Sequence, residues 1–209
     1  LQYRLAFLHN VFSGSLKIRN PNKQSKRARI MVHKIWYTYD DIHKTVKHIA
    51  QKINEAGVRY DAMIAIGGGG FIPARMLRTF LDVPIYAVTT AYYLNETEAK
   101  TGDAVQKIQW LDPVPTELAG KNVLVVDEVD DSRTTMDFVL RELQKEGFGC
   151  IGVAVIHNKL KPKTAELPSG IAYFSGMDIE DWWINYPWDA VDIEAHNRRA
   201  QAGVYSEEA

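Results

Sequence analysis

VLVVDEVDDSRTT, residues Val123–Thr135, is the stretch from which the fold can be read. Four apolar residues, Val123–Val126, run into an acidic pair, Asp127 and Glu128, and a second pair follows at Asp130 and Asp131. A hydroxyl-rich turn, Ser132-Arg133-Thr134-Thr135, comes next, and Met136, Val139, Leu140 and Leu143 then recur at i, i+3, i+4 and i+7. That spacing is the apolar stripe of a helix. The unit reads as a buried strand, an acidic then polar loop, and a helix whose N-terminus opens onto the loop. Free backbone N–H groups and the positive end of the helix dipole favour an anion there. The carboxylates would repel an anion unless they face something else. A phosphorylated sugar satisfies both halves, with its phosphate on the helix N-terminus and its hydroxyls, or a metal, on the acids.

The order strand, two acids, two residues, acid, hydroxyl turn and helix resembles the 5-phosphoribosyl 1-diphosphate signature of the type I phosphoribosyltransferases. The resemblance implies that Asp127 and Glu128 hold the ribose hydroxyls and Mg²⁺. It also implies that Asp131, Ser132, Arg133, Thr134 and Thr135 wrap the 5′-phosphate. Arg133 departs from the family, which usually has glycine there; it is read either as a charge added near the phosphate or as a solvated side chain. Asp130 stands where the family is usually apolar and is read as a solvated loop acid. Asp131 matches the acid that lies near purine N7 and handles its proton as N9 attacks the sugar.

Upstream, Asp61–Ile66 reads as a short apolar strand broken by Gly67-Gly68-Gly69-Gly70. Four glycines suit a place where a ligand approaches the backbone itself. Their spacing fits neither GxGxxG with a downstream acid nor GxxxxGK[ST]. By resemblance this is the pyrophosphate loop, often carrying a non-proline cis peptide, with Gly68 at the family's basic position and Gly69 after it. The segment IAIGGGGFIPARMLRTFL, Ile64–Leu81, is similar to the yeast-type hypoxanthine-guanine and xanthine enzymes, and the likeness runs from about Tyr37 to Arg198.

Three tryptophans fall within Trp182–Trp188. Clustered aromatics ordinarily build core, which is the reading for Trp188, but a flat base also needs a face to stack on. Likeness to the bacterial xanthine–guanine enzymes makes Trp183 the stacker and Ile184 the edge contact; the mammalian pattern would select Trp182 and Trp183. Asp189 then matches the acid that helps hold a second Mg²⁺. The lysine that reads the oxygen at purine C6 is Lys159 or Lys161, with spacing favouring Lys159; the remaining lysines of Lys159–Lys163 are read as solvated. Leu94–Gln106 matches the family's mobile loop, with Tyr93 at its start and Ala91-Tyr92 supplying no serine.

The surrounding chain fits one α/β domain: a type I phosphoribosyltransferase fold, a mainly parallel sheet flanked by helices, ligands at the strand C-termini, and a small loop-rich hood at about 158–198. Asp40 or Asp41 is expected to cap a first helix carrying Ile42, Val46, Ile49 and Ile53, and Pro73 suits the first turn of a second. Pro84–Thr90, Lys107–Leu111 and Cys150–Ile156 read as further strands. The 209 residues are 46% hydrophobic and 24% charged, with a net charge of −1 that argues against nucleic-acid or membrane binding. One cysteine, Cys150, excludes an internal disulfide and fits a reducing, cytoplasmic setting. Residues 1–30 hold seven basic residues and no acid, leaving −8 on the remainder. They read either as a transit segment or, preferably, as a leader before a start at Met31, outside a domain of 31–209.

The expected activity is purine salvage: hypoxanthine or guanine, or xanthine, with 5-phosphoribosyl 1-diphosphate and Mg²⁺, in a homodimer or homotetramer. A nucleotide sensor of the same fold, a xanthine-specific enzyme and a pyrimidine enzyme are the rivals.

Overall fold

The computed structural model of the chain describes residues 31–93, 104–203 and 205–208. The basic leader and most of the expected mobile loop lie outside the described residues.

Six strands form the main sheet in the order β4-β3-β2-β5-β6-β7. They are β2 (Ala62–Gly67), β3 (Ile85–Tyr93), β4 (Ala104–Gln109), β5 (Val123–Asp130), β6 (Ile151–Lys159) and β7 (Ala172–Ile179). All neighbours run parallel except the β3–β4 edge, where Tyr93 pairs with Ala104. Residues 104–106 therefore belong to a strand rather than to the loop that the sequence suggests.

Both faces of the sheet are covered, which is why its inner strands are continuous apolar runs. The two-residue period divides them cleanly. Met63, Ala65, Leu124, Val126, Ala154 and Ile156 face a core shared with α1 (Tyr39–Glu55) and α2 (Phe71–Leu81). Ile64, Ile66, Val123, Val125, Val153 and Val155 face a second core under α3 (Thr134–Leu143). Helix α1 is capped by Thr38, whose hydroxyl accepts from the Asp41 amide while the Asp41 carboxylate accepts from the Thr38 amide. That reciprocal box replaces the aspartate cap expected from the sequence.

The C-terminal region is more ordered than its loop-like composition suggests. It supplies β7 to the main sheet, then β8 (Trp183–Asn185), α4 (Ile193–Ala202) and β9 (Tyr205–Glu208). A small sheet, β8-β1-β9, draws on both ends of the described chain, because β1 (Met31–Trp36) pairs parallel with β8 and antiparallel with β9. Cys150 lies just before β6 and is half-buried. No described helix is long and apolar enough to cross a membrane.

Strand order reverses between β2 and β5, so their C-termini open a crevice at the topological switch point. The glycine loop and the acidic loop both lie there.

Candidate active site

At the end of β2 the Gly67–Gly68 peptide is cis, and Gly70 precedes α2. Close approach leaves no room for a Cβ at Gly67, Gly69 or Gly70. A Cβ on Gly69 would lie 1.5 Å from Glu128 Oε2, and one on Gly70 would lie 2.3 Å from the Val126 carbonyl oxygen. The glycine loop is thus packed directly against the acids of β5. At Gly68 a side chain would meet nothing within 4 Å.

Asp127 and Glu128 adjoin at the end of β5, where Asp127 Oδ1 accepts from the Glu128 amide at 2.9 Å. Burial, and then the neighbouring Glu128 carboxylate, push the Asp127 carboxyl well above the usual carboxylate range. A divalent cation or a set of hydroxyl donors would relieve that repulsion. Among the described residues no cluster of three or more His, Cys, Asp or Glu is placed to hold a metal alone. The two acids are oxygen donors of the kind a hard divalent cation takes, and water or ligand oxygens would complete its shell.

A cavity of about 420 Å³ runs from Gly67–Gly69 past Asp127 and Glu128 to Ser132–Thr135. Its far end is the start of α3, where the N-cap residue Arg133 makes no side-chain cap and Ser132 Oγ accepts from the Thr134 amide at 3.4 Å, so further backbone donors remain for an anion. Arg133 takes the left-handed backbone conformation, with φ 72°. Arg133 belongs to the lining of the cavity, and its side chain is 12% exposed, which corrects the reading of it as a solvated side chain. Nε and Nη2 donate to Asp130 Oδ2 at 2.9 and 2.7 Å, and the guanidinium lies over the Tyr173 ring. Asp130 is 1% exposed, so the expectation of a solvated acid fails as well. A carboxylate this deep needs partners, and Arg133 and the Tyr173 hydroxyl supply them. Burial works against the Arg133 charge, yet Asp130 keeps the guanidinium firmly protonated.

A second cavity, about 530 Å³, shares Glu128, Val129 and Asp131 with the first. Lys159, Trp183, Ile184 and Asp189 line it, with Trp36 and Arg199 at its border. Trp183 is 58% exposed, an aromatic face left open beside the cavity. Trp182 does not border the cavity and instead lies near His33. Trp188 stacks on Tyr186, with ring centroids 4.5 Å apart, and packs against the core.

Both candidate lysines reach the same two acids. Lys159 Nζ stands 3.4 Å from Asp131 Oδ1 and 3.4 Å from Asp181 Oδ1, whereas Lys161 Nζ is at 2.6 and 3.0 Å. Only Lys159 lines the cavity. Lys163 is not solvated: its ammonium donates to the carbonyls of Asp130 and Asp131. Of Tyr93 the structure fixes the backbone pairing only.

Sequence reasoning missed the support beneath the second cavity. The Tyr186 hydroxyl donates to the Glu128 carbonyl and contacts His157 Nδ1 at 2.8 Å. His157 is fully buried against Tyr37, and burial pushes its pKa down to about 4. The only sequence signal was a histidine at the end of an apolar strand.

Residues 37–190 match the phosphoribosyl transferase domain family. The chain is 45% identical over 192 residues to the hypoxanthine-guanine phosphoribosyltransferase of Schizosaccharomyces pombe, covering 78% of this chain and 93% of that one. It is 38% identical over 200 residues to xanthine phosphoribosyltransferase 1 of Saccharomyces cerevisiae, covering 81% and 96%. A Neisseria gonorrhoeae protein solved with bound ppGpp is 68% identical, with a TM-score of 0.78 over 81% of this chain and 96% of that one.

Proposed function

The chain belongs to the phosphoribosyltransferase family, and from that premise we propose that it is a purine salvage enzyme joining an oxopurine to 5-phosphoribosyl 1-diphosphate. One observation carries the reading. The cavity bearing a proton acceptor, a cation and an open aromatic face, namely Asp131, Lys159 and Trp183, adjoins the cavity bearing the paired acids and the open helix N-terminus.

In this account the donor's 5′-phosphate lies on residues 131–135 and its ribose hydroxyls on Asp127 and Glu128. Pyrophosphate lies along Gly68 and Gly69, where the backbone takes the place of a basic side chain. The base stacks on Trp183, its edge meets Ile184, and Lys159 donates to the oxygen at C6. Purine N9 forms the new bond to C1′ as the C1′–O bond breaks, and that electron pair leaves with pyrophosphate. The base sheds one proton from N7, and Asp131 accepts it. Asp127 and Glu128 stabilise the positive charge that builds on C1′ between the two events. Mg²⁺ held by these two acids, with a second ion held through water by Asp189, would neutralise the pyrophosphate as it departs. Asp131→Asn should lower kcat by roughly 10²–10⁴-fold while leaving the donor KM near its starting value; unchanged turnover would remove Asp131 from the chemistry.

The N. gonorrhoeae relative favours a second, compatible property. ppGpp carries guanine, ribose and phosphates, so it matches both cavities at once and should compete with the donor. Inhibition overcome by base but not by donor would contradict that placement. Residues 31–209 are taken as the functional unit, assembled as a homodimer or homotetramer in the cytoplasm.

A further inference from the structure

The loop assigned to the 5′-phosphate is gripped from behind by its carbonyls. Lys163 Nζ donates to the Asp130 carbonyl at 2.7 Å and to the Asp131 carbonyl at 2.9 Å. Thr164 donates to the Ser132 carbonyl from its amide and from its hydroxyl, both at 2.9 Å. The same hydroxyl lies 2.9 Å from Thr134 Oγ1. Three successive carbonyls are thus held by two adjacent residues of the β6–β7 connection. A trans peptide points its N–H opposite its C=O, so the amides of Asp131, Ser132 and Arg133 are turned the other way. All three residues line the cavity. Successive inward N–H groups make an anion-binding concavity.

The second half of the device lies beneath. Arg133 holds a left-handed backbone that a non-glycine residue rarely adopts. Its guanidinium is tied to buried Asp130, which also accepts from the Tyr173 hydroxyl at 2.9 Å and has Lys163 Nζ 3.6 Å from its other oxygen. The side chain thus ties down the backbone conformation that glycine would adopt through freedom alone.

We propose that the side chains of Lys163, Thr164, Asp130 and Arg133 are positioning groups that preform the 5′-phosphate cradle without themselves touching substrate, the backbone amides of the loop being what meets the anion. This rests on the phosphoribosyltransferase reading. Its mark is a split between donor and base: the support acts on phosphate binding alone. Lys163→Met should raise the donor KM by about tenfold or more. It should leave kcat and the base KM within about twofold, and Lys163→Arg should restore most of the loss. Titration calorimetry should show weaker binding of guanosine 5′-monophosphate and unchanged binding of guanosine. The paired change Asp130→Leu with Arg133→Gly should recover most of the donor affinity lost in Arg133→Gly alone, because it removes the stranded acid. An equal rise in donor and base KM, a loss confined to kcat, or no effect in Lys163→Met would overturn the proposal. Absence of turnover in the unaltered protein would instead sink the enzymatic reading, and the nucleotide-against-nucleoside binding difference would still decide the role of Lys163.

Discussion

Replacing Lys159 and Lys161 by methionine, one at a time, separates two cations that the sequence alone leaves nearly equivalent. Lys161 is committed: its ammonium lies 2.6 Å from Asp131 and 3.0 Å from Asp181, and its side chain is 26% exposed. Lys159 is held more loosely, at 3.4 Å from each acid, and is more deeply placed at 11% exposure in the wall of the base cavity. Its donors are therefore available to a ligand oxygen in a partly dehydrated setting. A hydrogen bond from a charged donor there is worth about 1.5–3 kcal/mol. At about 1.4 kcal/mol per decade, Lys159→Met should cut kcat/KM for an oxopurine by roughly 10–100-fold, with the donor KM unmoved. A solvent-screened pair contributes at most about 1 kcal/mol, so Lys161→Met should cost about fivefold or less. The assay is steady-state nucleotide formation with base varied at saturating donor, then the reverse. A larger loss in Lys161→Met than in Lys159→Met would refute the assignment.

Gly69→Ala should lower kcat/KM for the donor by about 10²-fold without changing the base KM, because the new methyl displaces the Glu128 carboxylate; activity within twofold would mean that Glu128 is not needed in its present position. His157 adds a pH dependence to stability. Its folded pKa, about 4, lies below the ordinary value of 6.5, so between these limits the unfolded chain binds a proton that the folded chain excludes. Stability is then complete above pH 6.5 and is lost progressively as the pH falls to 4, by about 3 kcal/mol. His157→Phe should flatten urea-melt stability across that window, and an unchanged slope would assign the loss to other groups.

Much of the site was legible because its signals are local. The β5 unit announces itself through an apolar run, paired acids and a helical stripe between Val123 and Leu143, and the glycines follow their strand directly. What escaped notice depends on contacts distant in sequence. Strand β1 pairs with β8 and β9 at the other end of the chain, and no local pattern marks such a partner. Strand β7 is an edge strand interrupted by Gly176, where a Cβ would lie 2.3 Å from Thr45 Cγ2, so its β character is muted. Helix α4 buries only His196 and has no apolar stripe to read. The solvated readings of Arg133 and Asp130 fail because burial, invisible in a loop sequence, turns a charged pair inward. Lys163, some thirty residues from the loop that it holds, could be found only once β6 had been placed beside β5.

The most direct test is nucleotide formation from 5-phosphoribosyl 1-diphosphate and Mg²⁺ with hypoxanthine, guanine, xanthine, adenine and uracil in parallel. Turnover of at least one oxopurine, with adenine and uracil silent, is the predicted result. Turnover of adenine or uracil in preference would contradict the role of Lys159. No turnover with any base, alongside binding of donor or ppGpp, would replace the salvage enzyme by a nucleotide sensor.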